Sequence, residues 1–468
     1  MTTRPDAEPI VPRTPPVREG RYGDRVIAVE PGGAEFIPLG ERHGRPLQLL
    51  WTWTSPNLEF ATIFLGVLAV AAFGLSFWQA AAAIVVGAGL GAIAHGVLST
   101  RGPVYGLPQM ILGRAAFGHR GNILPAGLNS IASGIGWFAV NSVSAALALA
   151  TLTGLPAAAC LAFVVLLQVT VGFFGHNLVH AFERFAFPVL AVIFVIGGAI
   201  ILANADLSAP GAGGGTGGFL LTVGATFGYV AGWTPYAADY TRYLPPEVSR
   251  RAVGWFAGMG IFSSCALLGI VGAASATMAG DALGDPTGSF TGHLPGPLAS
   301  LTLLAIALGA VCANALNVYS GSLSIVALGV RLPLKARRAV VAALAGVLGF
   351  LVALGGLRDA GHAYEGFLLI IAYWIGPWLG VILTDLLLRR GRPVTPEETG
   401  PGHRGRRGPV AMAVGMVVSI ALFCNQSLYV GPVPSAIPEI GDVTFIVGFL
   451  LAAVLYAVLP GGRARAGG

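Results

Sequence analysis

From residue 47 onward the chain alternates long apolar stretches with short polar ones. A membrane-spanning helix takes about 20 predominantly apolar residues. Twelve stretches meet that requirement, at 51–75, 78–99, 122–153, 155–175, 182–204, 218–243, 252–279, 297–329, 337–356, 364–387, 409–427 and 439–460. Residues 1–46 are polar, rich in Pro, Arg and Glu, and lack the short apolar core and cleavage site of a signal peptide. They read as a flexible cytosolic tail. Residues 391–408 read as a cytosolic loop and 461–468 as a second short tail. The pattern predicts an all-α integral membrane protein embedded in a lipid bilayer.

Charge sets the direction. Lys and Arg collect in cytoplasmic loops, and with the tail inside, all 27 basic residues except Arg358 fall in segments on that same side. A single missed or invented span would reverse every later loop and destroy the asymmetry. An even number of spans with both termini in the cytoplasm of a multi-pass cell-membrane protein is therefore expected.

Composition narrows the function classes. Of 468 residues, 55% are apolar and only 10% charged, against about 25% charged in ordinary soluble domains. The net charge of +6 arises from clusters between apolar runs rather than from one face, so nucleic acid is not an implied partner. Lys335, the single lysine, lies outside any Gly-x-x-x-x-Gly-Lys sequence, which excludes a nucleotide-hydrolysing P-loop. Cys160, Cys265, Cys312 and Cys424 fall inside apolar runs without paired spacing and read as small core residues. His176 and His180 are four apart but enclose no carboxylate, so a metal site is not expected there. The glycine run 211–218 lacks the strand and lysine of a phosphate loop and reads as an external linker. With no nucleophile elbow or zinc-protease pattern, neither an enzyme nor a resident cofactor is expected. The pattern carries no information on oligomeric state.

Two stretches depart from plain Ala, Leu, Val and Gly. The first contains Thr54-Ser55-Pro56-Asn57-Leu58-Glu59 and the sixth contains Gly232-Trp233-Thr234-Pro235-Tyr236-Ala237-Ala238-Asp239. Proline inside a helix removes a backbone donor and clashes with the preceding turn, so each predicts an interruption partway through the bilayer. The freed backbone groups must then face protein or a wet cavity. Two interrupted helices five spans apart, crossing in opposite directions, point to an inverted-repeat secondary transporter. Its repeats would cover about 47–205 and 216–390, a ten-helix core at 47–390, with two peripheral helices at 409–460. Ordinary proline kinks are the simpler reading of either interruption alone.

The third and eighth stretches carry polar stripes at helical spacing: Ser130, Ser133, Trp137, Asn141 and Ser144 in one, and Asn314, Asn317, Gly321 and Ser324 in the other. The serines read as interhelical contacts. Trp137, Asn141 and Asn317 read as functional, because an amide in hydrocarbon is costly without partners.

The segments Gly136-Trp137-Phe138-Ala139-Val140-Asn141, Gly232 to Pro245, Asn314-Ala315-Leu316-Asn317-Val318-Tyr319-Ser320, Gly106-Leu107-Pro108-Gln109 and Tyr373-Trp374-Ile375-Gly376-Pro377-Trp378 resemble the nucleobase:cation symporters, in their purine-cytosine permease branch. The resemblance implies a LeuT-like fold of ten core helices plus two. It implies that Trp137 and Trp233 are aromatic plates on either side of a planar ring and that Asn141 and Asn317 read its polar edge. It also implies that Ser55 and Gly232 sit where the interrupted helices approach the substrate, with Asn314 in the same segment as Asn317. A neutral base suits such a site, since stacking is worth about 1–3 kcal/mol per base and side-chain amides supply both donors and acceptors.

The chain departs from this family at Leu316, where many members have proline, and at Val311, Cys312 and Ala313, where sodium-coupled relatives place hydroxyl groups. A hard cation prefers oxygen ligands, so protons are expected over sodium as the coupling cation. Intramembrane acids are functional candidates by default. Glu59 and Asp239 are the candidates, with helix capping and a pair to Arg242 as the structural alternatives. The expected function is import of cytosine or a purine by cation symport. An uncoupled facilitator, or a symporter for allantoin, hydantoin, thiamine or a pyridoxine-like ring, remains the alternative.

Overall fold

The computed structural model describes residues 35–460 except 175, 279–281, 284–285, 331–333 and 358–359, together with Val26 and Gly33. Arg358 therefore lies outside the described residues, as does the tail 461–468.

A helix or an interrupted helix occupies each of the apolar stretches. In order they are Gln48–Thr54 continuing as Phe60–Val67, Phe77–Ser99, Ile123–Thr153, Ala157–Phe174, His176–Asn204, Gly215–Ala231 continuing as Ala237–Thr241, Arg250–Ala276, Gly296–Ala327, Leu334–Gly356, Ala360–Arg389, Arg407–Phe423 and Thr444–Val458. Among the described residues, six helices are individually long and apolar enough to cross a membrane, and the bent pair at Gln48–Ala72 makes a seventh. Local chemistry starts several of them. Ser76 and Gln79 form a reciprocal capping box ahead of Phe77–Ser99, and the Ser249 hydroxyl caps Arg250–Ala276 by accepting from Ala252 N. Large apolar side chains such as Phe185, Leu166 and Val195 are exposed, as lipid-facing surface requires. The four cysteines are buried and free.

The two interrupted helices lie in the middle, against Arg250–Ala276, Gly296–Ala327 and Phe77–Ser99. Close backbone approach fixes the first of them. A side chain added at Gly66 would run into the Gly269 carbonyl, and one at Gly272 into the Ile63 carbonyl, so only glycine permits this small-residue crossing. On the other side of the interruption, the Thr54 hydroxyl donates to the Gly260 carbonyl at 3.0 Å. Both halves of the first interrupted helix are thus fastened to Arg250–Ala276.

The end of the polar tail packs against the helices. Ile37 is buried and its amide donates to Gly106 O at 3.1 Å, while His43 N donates to Tyr243 O at 2.6 Å. The Arg42 guanidinium donates to Pro103 O at 2.6 Å and to Ile37 O at 3.2 Å. Backbone pairing and a single buried isoleucine anchor a segment whose composition alone reads as loose. In the loop after Ala360–Arg389, Arg389 grips Glu398 with two nitrogens (3.0 and 2.8 Å) and Asp385 with a third (2.6 Å).

Candidate functional site

Ser55-Pro56-Asn57 forms one tight turn, and the helix resumes at Phe60 after a bend of 61°. Three groups satisfy the backbone freed there. Leu58 N donates to Ser55 O at 3.1 Å, the Thr62 hydroxyl donates to Asn57 O at 2.7 Å, and Glu59 in extended conformation accepts from Ala61 N at 2.9 Å through Oε2. The second helix is interrupted at Gly232–Tyr236, where Pro235 stands in a tight turn and the Thr234 hydroxyl donates to Ala231 O at 2.5 Å. The two interruptions touch: Trp233 Nε1 donates to Asn57 Oδ1 at 3.0 Å.

Trp137 and Trp233 are both 7% exposed, and each has its own aromatic neighbours. Trp233 meets Trp53 and Tyr236 edge-on at centroid distances of 6.0 and 5.6 Å. Trp137 meets Tyr229 and Phe367 edge-on at 5.4 and 4.8 Å. Gly232 lies beside Trp137, since a Cβ there would stand 3.4 Å from the indole Cζ2. Trp137 closes a wider π-helical turn, Ala132–Trp137, which shifts the register of the polar stripe in Ile123–Thr153. Within that stripe Ser130 and Ser133 donate to carbonyls one turn earlier at 2.8 and 2.7 Å, leaving Trp137 and Asn141 to the interior.

The asparagines form one network with Asn314 at its hub. Asn314 Oδ1 accepts from Asn141 Nδ2 at 3.0 Å and from Asn317 Nδ2 at 3.1 Å. Its own Nδ2 donates to Phe138 O (2.9 Å), Gln168 Oε1 (3.0 Å) and Ser142 Oγ (3.2 Å). Asn314 is spent on holding its neighbours. Asn317 Oδ1 in turn accepts from Tyr236 Oη at 3.2 Å, which ties the amides to the second interruption. Asn141 Oδ1 takes no protein donor among the described residues, and an acceptor of that kind can meet an amino or imino group on a ring edge.

The remaining predicted residues lie around this cluster. The Ser55 hydroxyl points away from it and donates to Trp51 O at 2.5 Å and Glu183 O at 3.3 Å. Glu59 is fully buried, and besides Ala61 N it meets the Tyr229 hydroxyl, which donates to Oε1 at 3.0 Å. Asp239, also buried, accepts from Gln109 N at 2.8 Å and so anchors the Gly106–Gln109 segment to the second interrupted helix.

Asn57, Gln168, Tyr229, Tyr236 and Glu183 join the picture only in three dimensions. Asn57 and Tyr236 stand inside the proline-containing segments, which is the one signal the sequence offers for them. A cavity of about 170 Å³ adjoins the Trp137 side, lined by Phe60, Phe64, Gly136, Val140, Tyr364 and Phe367 among others. Its walls are mostly apolar, with Ser144, Thr287 and Tyr364 the polar residues among them. The asparagine network does not line it.

Three comparisons bear on this arrangement. A family model described as permease for cytosine/purines, uracil, thiamine, allantoin matches residues 36–448. The chain is 29% identical to a protein named putative purine-cytosine permease YxlA of Bacillus subtilis over 464 residues, 94% of this chain and 98% of that one. It is 30% identical to purine-cytosine permease FCY2 of Saccharomyces cerevisiae over 440 residues, 87% of this chain and 81% of that one. Among solved structures it resembles Mhp1, a nucleobase-cation-symport-1 family transporter in a closed conformation with bromovinylhydantoin bound, with a TM-score of 0.72 at 22% identity, covering 92% of this chain and 94% of that one.

Proposed function

The chain belongs to the family of permeases for cytosine/purines, uracil, thiamine and allantoin, and on that premise we propose that it imports a nucleobase, cytosine or a purine, together with a proton. It is a transporter and not an enzyme, all-α and multi-pass, with the fold of Mhp1. The twelve helical positions support a ten-helix core at 47–390 built from two inverted repeats, with two peripheral helices. The one-sided basic residues support cytoplasmic termini.

The observation that carries this reading is that the two interruptions are joined through Asn57 and Trp233 and tied through Tyr236 to the asparagine network beside Trp137. Such an arrangement supplies indole faces for attraction and amide groups for discrimination. Stacking tolerates any base, whereas a buried amide left unpaired by the wrong base costs about 1–3 kcal/mol. In this proposal Trp137 and Trp233 flank the ring, Asn141 and Asn317 meet its edge, Asn314 orients both, and Gly232 and Ser55 shape the approach. Glu59 and Asp239 stand as candidate carriers of the coupling proton, each already accepting from a backbone amide. Alternating access then seals the pocket from each side in turn.

The test is uptake of radiolabelled cytosine into proteoliposomes with an imposed proton gradient, an imposed sodium gradient or neither, with competition by adenine, hypoxanthine, uracil, allantoin and thiamine. The expected result is accumulation above equilibrium under the proton gradient, competed by purines. Mere equilibration under every gradient makes the protein a facilitator, and stronger competition by allantoin or thiamine moves it to another substrate.

A further inference from the structure

One buried acid meets the site above only through its backbone carbonyl, which accepts from the Ser55 hydroxyl. Glu183 lies in His176–Asn204 and is fully shielded from solvent. That helix packs on the turn of the first interruption and on Gly296–Ala327. The Glu183 carboxyl group faces the Ser55 hydroxyl and the Cys312 thiol, and neither contact reaches full hydrogen-bond geometry. The Ser55 hydroxyl is committed to carbonyl oxygens, and both carboxyl oxygens of Glu183 lack a partner. This sets Glu183 apart from Glu59 and Asp239, which accept from backbone amides. A charged carboxylate sealed without a donor is costly. The neutral acid can be sealed there, and the charged form calls for an opening to water.

A polar stripe leads to it. His180 and His176 precede Glu183 by three and seven residues, the spacing that aligns side chains along one helix face. The two imidazoles stack with centroids 5.9 Å apart and planes 4° apart, and His180 Nδ1 lies 3.1 Å from the Thr52 hydroxyl. Both line a small cavity of about 50 Å³ together with His43, Gln48, Tyr240 and Tyr243. The stripe therefore runs from a cavity where the tail packs to the interruption at Ser55.

We infer that Glu183 is a proton-binding site of the transport cycle, and that His180 and His176 form the path by which its proton leaves toward the side where the tail packs. The inference rests on the proton-symport reading and deepens it. On loading, the carboxylate takes one proton from a hydronium ion: an O–H bond of the hydronium breaks, the carboxyl O–H bond forms and a water molecule is left. On release that bond breaks, the proton passes to the His180 imidazole and on through His176 and cavity water to solvent, and the carboxylate is restored. The groups facing this path are Ser55 and Cys312 at the acid and Tyr240, which lines the cavity with both histidines. Arg184 and His43 bear on His180, and Tyr243 and Tyr319 lie against His176.

The experiment uses the full chain in proteoliposomes with radiolabelled cytosine and reads two quantities. One is accumulation under an imposed proton gradient. The other is exchange of labelled for unlabelled cytosine at equal pH on both sides, which needs no net proton movement. Glutamine mimics the neutral acid, so Glu183→Gln is expected to exchange at close to the wild-type rate while accumulation falls to simple equilibration, and Glu183→Asp is expected to accumulate. Undiminished accumulation in Glu183→Gln overturns the inference and leaves symport standing. Loss of exchange together with accumulation also overturns it, since the carboxyl group would then serve the pocket or the packing. Wild-type protein that accumulates on sodium alone, or not at all, sinks the proton reading and this inference with it.

Discussion

The indole N–H of Trp233 donates to Asn57 Oδ1 at 3.0 Å, so the side chain of one interruption holds the side chain of the other. Asn57 is itself oriented, because its Nδ2 donates to Trp53 O at 2.8 Å. Trp233→Phe keeps a ring and removes the donor, leaving a buried amide oxygen unpaired at a cost of about 1–3 kcal/mol. Weaker cytosine binding by about 5- to 150-fold, with unchanged membrane insertion, is the expected outcome in a competition assay. Unchanged affinity would separate this bond from the pocket.

Trp137→Ala removes the indole that borders Gly232 and the Phe367 ring. Losing one stacking face weakens binding by about 1–3 kcal/mol, and saturable cytosine binding is expected to vanish at micromolar ligand. Equilibrium binding to purified protein checks this, with thermal unfolding as the control for folding.

Asn314 orients Asn141 and Asn317 through a single oxygen. Asn314→Ala should therefore weaken binding about as much as Asn317→Ala, and the double variant should fall well short of the sum of the two, because residues in one hydrogen-bond network are not additive. A double-mutant cycle on cytosine affinity measures the coupling. Additive losses would mean that the two amides act independently.

Glu59→Gln retains an oxygen that can accept from Ala61 N, so the N-cap survives. If Glu183 rather than Glu59 carries the coupling proton, proton-driven accumulation persists in this variant, with a stability loss of about 1 kcal/mol or less read as a lower unfolding midpoint in detergent. Abolished accumulation with intact exchange would make Glu59 the coupling acid instead.

The Glu398 carboxyl group lies outside the spans. Burial pushes its pKa up, but the Arg389 guanidinium, the Thr395 amide and His403 outweigh that and hold it below the usual carboxylate range. A depressed pKa means that the unfolded chain binds the proton more readily, so the stabilisation is full at neutral pH and fades as acid protonates the folded group. Glu398→Gln should lower stability by about 0.2–1 kcal/mol at neutral pH, and the difference from wild type should shrink below about pH 4. Unfolding midpoints of both proteins across that range decide it.

Much of this arrangement is legible in the sequence. Proline next to polar residues inside an apolar stretch has few structural outcomes, so both interruptions are visible there, and helical spacing brings Trp137 with Asn141 and Asn314 with Asn317. What stays hidden depends on contacts between distant segments. Nothing in the order of residues says that Asn57 faces Trp233 or that Ser55 turns toward Glu183. The π-helical turn before Trp137 has no local signature, and three similar asparagines do not reveal which one orients the others. Glu183 stands next to Arg184 near the start of an apolar stretch, where it passes for a boundary charge. The anchored end of the tail is concealed by its polar composition.

A rod cracked in the middle invites the picture of an elbow. Yet the stretch before the crack is fastened at Thr54 and the stretch beyond it at Gly66, both to the same uninterrupted neighbour, Arg250–Ala276. A splint of that kind keeps the two pieces from swinging against each other. On the alternating-access proposal, a rocking motion that exposes the substrate to one compartment and then the other would carry splint and rod together as one body.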